Sequence, residues 1–199
     1  MRTDLLVLNG SPAPDGQSMF LALKTIEAAG LEAEVIHLSI LRIESCTACM
    51  ECARGGRCPL DARDDMAATR ERLHAARGLV VASPLHFTSL TAPLIATFSR
   101  LEPEWLAFAA AGFAKPSPEF RNGAGMLVVT GGGDYRAMFE PARRVAAAVF
   151  NTLGLLNLGS VEAGHTSRTP VAANTLALKR ASAAGRSLRA ALSPARRCL

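Results

Sequence analysis

Five short apolar runs separated by segments of helical period constrain this chain more than any other feature. They are Leu5–Asn9, Ala33–Leu38, Leu79–Ala82, Gly125–Thr130 and about Leu155–Val161. Each reads as a strand, and the first and third, Leu5–Asn9 and Leu79–Ala82, read as buried ones, the first too short for a helix and suited to burial on both faces. Helices are expected between them. The first runs from Ser18 to about Ala29, with Met19, Leu23 and Ile26 on one face, and Gly30 stops it. The second runs from Asp64 or Asp65 through Arg77, with Met66, Thr69, Leu73 and Ala76 inward. A third opens near Pro93 and carries Leu94, Ile95, Phe98 and Leu101. A fourth spans about Phe139 to Asn151, and a last about Val171 to Leu192. Ser83-Pro84 is expected to break the third strand. Pro103, Pro116 and Pro118, with the lone Trp105, mark 102–123 as an excursion before the sheet resumes. This alternation predicts a parallel α/β sheet with right-handed crossovers, built as one domain over 1–199. Such sheets bind ligands beyond the carboxyl ends of their strands, which singles out the loops opening at Gly10, Ser83 and Gly131.

The first of these loops reads Gly10-Ser11-Pro12-Ala13-Pro14-Asp15-Gly16-Gln17-Ser18. Gly10 and Gly16 permit conformations in which backbone N–H groups converge, and Ser11, Gln17 and Ser18 add side-chain donors. The helix that follows presents unpaired amides and the positive end of its dipole, which favours an anion such as a phosphate. The competing reading is an ordinary strand-to-helix turn capped by Ser18.

A second signal lies between about Glu44 and Arg63, where Cys46, Cys49, Cys52 and Cys58 follow the spacing Cys-x2-Cys-x2-Cys-x5-Cys-Pro. Such crowding points to a metal or redox site rather than a disulfide framework. Four thiolates on one loop can hold an iron–sulfur cluster, with Gly55 and Gly56 turning the chain so that Cys58 closes the site. Two alternatives stay open: zinc, whose four-cysteine sites usually arrive as two separated knuckles, and free thiols beside a cofactor. Cys198, near the end of the chain, is not assigned to the site.

The formal charge is +5, but Arg186, Arg189, Arg196 and Arg197 all lie beyond residue 185, so much of the excess reads as a solvated tail. One Trp and one Tyr do not make the stacking platform of a nucleic-acid binder. No apolar run approaches the roughly 18 residues needed to span a bilayer, and no secretory signal pattern precedes Leu5. The expectation is a cytoplasmic protein with neither nucleic acid nor membrane as partner.

With these residues assembled, the chain resembles the flavodoxin-like NAD(P)H-dependent FMN reductases, and within them the iron–sulfur flavoproteins. Asn9-Gly10-Ser11-Pro12 and Gly16-Gln17-Ser18 match the family's phosphate loop, with Ala13 where a basic residue is usual and Gln17 in place of Asn. Ser83-Pro84-Leu85-His86-Phe87-Thr88-Ser89 matches the loop bordering the flavin ring, with His86 where tyrosine is common. Asp64-Asp65-Met66 and Thr130-Gly131-Gly132-Gly133 match further landmarks, the latter a turn close to the ring.

The resemblance implies a flavodoxin-like three-layer sandwich with a five-stranded parallel sheet in the order 2-1-3-4-5. It implies FMN held by Ser11, Pro12, Gly16, Gln17, Ser18 and Met19 at the phosphate and by Pro84, Leu85, His86, Phe87, Thr130, Gly131 and Gly132 at the ring. The chemistry would belong to the flavin, with no catalytic side chain assigned. His86 either tunes the flavin by its charge or is an ordinary loop histidine. No Gly-x-Gly-x-x-Gly fingerprint follows a strand, so NAD(P)H would bind transiently over the flavin. Cys46, Cys49, Cys52 and Cys58 would ligate a [4Fe–4S] cluster near it, exchanging electrons with a small molecule or a redox protein. A homo-oligomer, dimer or tetramer, is expected from the resemblance and the apolar stretch 101–120. The alternatives are a cluster-free FMN or quinone reductase, and a non-enzymatic carrier or binding module of the same fold. A carrier of this kind is typically acidic, and this chain is basic.

Overall fold

The computed structural model describes residues 4–113, 123–133 and 135–193. Five parallel strands, β1 (Leu5–Asn9), β2 (Ala33–His37), β3 (Gly78–Pro84), β4 (Ala124–Thr130) and β5 (Leu156–Ala163), form one sheet in the order β2-β1-β3-β4-β5. Every residue of β1 and β4 is buried. Leu5 and Val7 face one side with α1 (Gln17–Ala29) and α6 (Thr175–Leu192), while Leu6 and Leu8 face the other. There they meet Leu94 of α3 (Ala92–Ser99) and Ala142, Ala146 and Phe150 of α5 (Glu140–Thr152). The period-2 alternation of strand side chains thus divides the core into two halves and defines the three layers of a flavodoxin-like fold. Among the described residues no helix is long and apolar enough to cross a membrane.

Several boundaries differ from the sequence expectation for identifiable reasons. Ser83-Pro84 does not break β3: both residues pair with β4, opposite Val129 and Thr130. Leu85 N–H bonds Thr130 O at 2.7 Å, so the Pro84 nitrogen faces the β1 side, where β1 has already ended opposite Ala82. A proline there forfeits no ladder bond. The 102–123 excursion begins with a helix, α4 (Glu102–Ala110), because Pro103 sits in its first turn, where a missing N–H costs nothing. None of its residues is buried. Leu101 belongs to the junction between α3 and α4, not to α3; Pro116 and Pro118 lie outside the described residues.

The second helix, α2 (Met66–Ala75), stops two residues early, and Leu38 leaves β2 to open a short 3-10 turn. Strand β5 runs on to Ala163 through a register shift opposite Gly125–Leu127, where Gly159 takes a φ of 85° that a side chain would resist. Residues Val171–Ala173 form a separate 3-10 turn before α6, whose first turn is capped by the Asn174 side chain accepting from Ala177 N–H at 3.0 Å.

Candidate functional site

Four loops meet at the carboxyl end of the sheet. Buried Asn9 organises the first: its Oδ1 accepts from Ser11 N–H at 3.0 Å, and its Nδ2 donates to Pro14 O at 3.0 Å and lies 3.0 Å from His37 Nδ1. Thr91 Oγ donates to Gly10 O at 2.7 Å. A Cβ at Gly10 would fall 2.5 Å from that hydroxyl, so glycine is required there by close packing rather than by a left-handed backbone. Gly16 is also extended, with φ −65°, and is the N-cap of α1.

The helix thus starts one residue before the expected Ser18, and the competing reading of a turn capped by Ser18 is not met, because no side chain caps the helix. The first helical bond runs from Phe20 N–H to Gly16 O, leaving the amides of Gln17, Ser18 and Met19 without helical acceptors. Ser18 is 1% exposed, and its Oγ has no partner among the described residues. A buried hydroxyl beside three open amides at the positive end of a helix is a fit for an anionic oxygen.

The remaining phosphate-loop candidates divide. Ser11 Oγ turns inward and accepts from Ala13 N–H at 3.2 Å, while Pro12 is exposed. Gln17 Oε1 accepts from Val171 N–H at 2.7 Å, which ties the start of α1 to the segment after β5. The Met19 side chain lies in the core, so only its amide can meet a ligand.

In the second loop, His86 and Ser89 exchange two backbone hydrogen bonds of 3.0 Å across a two-residue turn. Phe87 and Thr88 occupy that turn at φ 50° and 63°, the geometry of a type I′ hairpin. For an aromatic and a β-branched residue this is strained backbone, and it leaves the Phe87 side chain wholly exposed and His86 exposed beside it. In the third loop, which follows Thr130, a Cβ at Gly131 would stand 2.7 Å from Met138 Cε.

The fourth loop carries no sequence signal of its own. His165, at φ 59°, donates its N–H to Gly133 O at 2.8 Å, and Thr166 N–H bonds Gly131 O at 3.1 Å, so the segment after β5 braces the glycine turn. No glycine run or spacing in 164–170 announces that role; it comes from the position of β5 beside β4.

The cysteine loop is closed by carboxylates at its neck. Asp65 Oδ2 accepts from Arg42 N–H at 2.8 Å, Asp64 Oδ2 accepts from Glu44 N–H at 3.0 Å, and Asp65 N–H returns to Arg42 O at 2.9 Å. Above this neck Ala48 and Met50 hold left-handed φ of 54° and 62°, and Gly55 one of 81°, so the chain winds back on itself as expected for Gly55. Cys46, Cys49, Cys52 and Cys58 line one cavity of about 130 Å³, together with Leu60, Arg100 and Glu102. Cys46 Sγ accepts from Ala48 N–H at 3.4 Å.

No three His, Cys, Asp or Glu side chains among the described residues meet around a single ion, whose thiolates would stand about 3.8 Å apart at zinc–sulfur distances. Helix α3 separates the two sites. Thr91 at its N-cap holds Gly10, and Ser99 in its last turn accepts from Cys46 N–H at 3.0 Å, with about 12 Å of helix between them.

Arg100, sequence-adjacent to Ser99, is missed by motif reasoning. It is 2% exposed and pairs with Asp64 and Asp61, each at 2.5 Å. Burial alone would raise the Asp64 carboxyl, but the Arg100 bond and the Glu44 and Met66 amides hold it below the ordinary carboxylate value. Glu104 is likewise depressed: burial opposes it, and the His74 bond and the Arg70 charge overcome that opposition. Folded values below the unfolded ones mean that stability from these pairs is full above roughly pH 4 and lost as pH falls through the folded values. Urea midpoints measured from pH 6 to pH 2.5 should therefore drop below about pH 4. Asp64→Ala should cost about 3 kcal/mol at pH 7 and flatten that drop, since it leaves a buried guanidinium short of its counter-ion. An unchanged pH profile in Asp64→Ala would remove the assignment.

A parallel 2-1-3-4-5 sheet with an uncapped helix start after β1 and a braced glycine turn after β4 defines a flavodoxin-like α/β protein with an anion cradle at the ends of its strands. The chain belongs to the NADPH-dependent FMN reductase family, which residues 3–170 match. It is 31% identical over 104 residues to an iron–sulfur flavoprotein of Methanocaldococcus jannaschii, covering 51% of this chain and 53% of that one. It is 32% identical over 97 residues to an iron–sulfur flavoprotein of Archaeoglobus fulgidus, covering 47% and 43%. The chain thus spans about half the length of the curated relatives it matches. Among solved structures, the NAD(P)H:quinone oxidoreductase of Methanothermobacter marburgensis superposes with a TM-score of 0.68 at 20% identity, covering 92% of this chain and 94% of that one, a likeness of fold.

Proposed function

We propose that this protein is an FMN-dependent oxidoreductase that takes electrons from NAD(P)H or a reduced carrier and also holds a [4Fe–4S] cluster. The single observation that carries the flavin reading is the unpartnered, buried Ser18 hydroxyl beside the open amides of Gln17, Ser18 and Met19. These groups hold the FMN phosphate, with Gly16 admitting it closely and Pro12 at the loop's outer face. Ser11 and the Gln17 carbonyl shape the loop through Ala13 and Val171 rather than touching phosphate. The segments Pro84–Phe87 and Thr130–Gly132 border the ring; glycine at 131 and 132 makes room for Met138 and Ser167, and the exposed Phe87 side chain is free to cover the ring.

Bound FMN supplies hydride and single-electron chemistry, and the protein's task is to position it and exclude competing reactions. With no dinucleotide fingerprint in the chain, the nicotinamide donor is a transient co-substrate stacked over the flavin. Cys46, Cys49, Cys52 and Cys58 hold the cluster, which supplies one-electron exchange with a small molecule or redox protein. A homo-oligomer is supported by α4, an apolar helix with no buried residue that exposes Trp105, with Phe113 exposed just beyond it. Free thiols throughout the cysteine loop suit a reducing, cytoplasmic setting. The second reading, a cluster-free reductase, is favoured by the exposure of Cys46 and Cys49, which as unliganded thiols would face solvent.

Titration of the apo-protein with FMN tests the flavin assignment. Saturable quenching of flavin fluorescence at one FMN per chain is expected, followed by bleaching of the bound flavin by NADH or NADPH without oxygen. Absence of saturable binding at micromolar FMN would defeat the assignment.

A further inference from the structure

We infer that Arg100 donates its Nε–H to a sulfur of the bound cluster, and that this bond raises the cluster's reduction potential. The inference rests on the cluster reading above. The Arg100 side chain is 1% exposed, a depth at which a cation persists only when its donors are matched. Two of its three nitrogens are. One terminal nitrogen donates to Asp64 Oδ2 at 2.5 Å and Glu44 O at 3.0 Å, the other to Asp61 Oδ1 at 2.5 Å. Buried Nε has no acceptor among the described residues. Yet Arg100 lines the same cavity as Cys46, Cys49, Cys52 and Cys58.

The fork is held from both stems of the loop, so its placement does not depend on the cluster. Glu44 O lies on the stem leading to Cys46, and Asp61 and Asp64 lie on the stem leaving Cys58. Ser99, the preceding residue, accepts from Cys46 N–H. Arg70 pairs with Asp61 at 2.7 Å and also donates to Arg100 O at 2.9 Å, which locks the backbone on the far side. Among the described residues the Nε–H and the second N–H of the Asp61-bound nitrogen remain uncommitted, and of the three nitrogens only Nε makes no hydrogen bond at all.

Reduction of the cluster by one electron, from [4Fe–4S]2+ to [4Fe–4S]+, breaks no bond and adds one negative charge to the iron–sulfur core. An N–H donor on a sulfur stabilises the reduced form more than the oxidised one and shifts the potential upward. Asp61 and Asp64 offset the guanidinium's net charge, so the directed bond rather than the distant field is the lever. Lysine can keep an ion pair here but has no fork that leaves a fixed third donor.

The experiment compares anaerobically purified wild type with Arg100→Lys. Iron and sulfide content are measured first, then an EPR-monitored redox titration with dithionite. We expect equal loading and a fall in the one-electron reduction constant of at least tenfold in Arg100→Lys, equivalent to about 59 mV. An equally loaded variant with unchanged potential overturns the inference. Should the variant fail to fold or load, wild type labelled with 15N at arginine Nε decides: pulsed EPR of the reduced cluster should show coupling to one 15N, and its absence overturns the inference. Wild type without iron and sulfide overturns the cluster reading itself, and this inference with it.

Discussion

Ser18→Asp is expected to weaken FMN binding by about a hundredfold or more while leaving the apo-protein as stable as wild type. The two effects have one cause. In the apo-protein the amides of Gln17, Ser18 and Met19 are open, and Gly16 contributes no side-chain cap. A carboxylate introduced at position 18 accepts from such amides and complements the helix dipole, an interaction worth about 0.3–1 kcal/mol at a helix start. The FMN phosphate then loses those donors and meets a like charge. A hydrogen bond to a charged group contributes about 1.5–3 kcal/mol, so losing one bond and adding repulsion gives two decades or more in affinity. Ser18→Ala removes the hydroxyl alone and should cost about tenfold. Isothermal titration and thermal melts on the three proteins check both signs. Wild-type affinity in Ser18→Asp would move the phosphate away from α1 altogether.

The parts of this architecture that can be read in advance are those where burial dictates residue type. Strands β1, β3 and β4 lie inside the sheet with helices on both faces, so they must be apolar throughout, and their runs stand out against any background. Edge strand β5 is exposed over its first half, and its apolar run accordingly misses the strand's limits, by one residue at the start and two at the end. Prolines mislead where the backbone has a use for them. The Pro84 nitrogen faces the side where β1 has already ended, and Pro103 starts a helix, so neither breaks anything.

At the site, the glycines and serines of the first loop are visible as a pattern, but their division of labour is not. Whether Ser11 or Ser18 faces the ligand depends on Ala13 N–H claiming one hydroxyl and nothing among the described residues claiming the other. The same holds for Asn9, Thr91, His165 and Arg100. Each acts through a partner brought to it by the chain's path, Thr91 reaching Gly10 and Arg100 reaching Glu44, and no local spacing encodes such contacts.

The largest change is expected from Cys52→Ser in protein made and handled without oxygen. Wild type should carry about four iron and four sulfide per chain, and Cys52→Ser should lose most of both, because a serine oxygen is a poor substitute for the lost thiolate. The loop itself should survive. Its neck is held by Asp64, Asp65 and Arg100, none of which uses a cysteine, so the far-ultraviolet spectrum and urea midpoint of the variant should match those of cluster-free wild type. FMN binding should also persist, since about 12 Å of α3 lies between the Ser99 contact to Cys46 and the Thr91 contact to the phosphate loop. Cys46 and Cys49 are exposed, which opens the cluster to oxygen and predicts its loss, with visible bleaching, on aerobic purification. A zinc site would behave oppositely, keeping one metal per chain in air and showing no visible band. Wild type that holds neither iron nor sulfide under anaerobic conditions, yet binds FMN and oxidises NAD(P)H, would establish the cluster-free reductase and leave the four thiols as free cysteines beside Arg100.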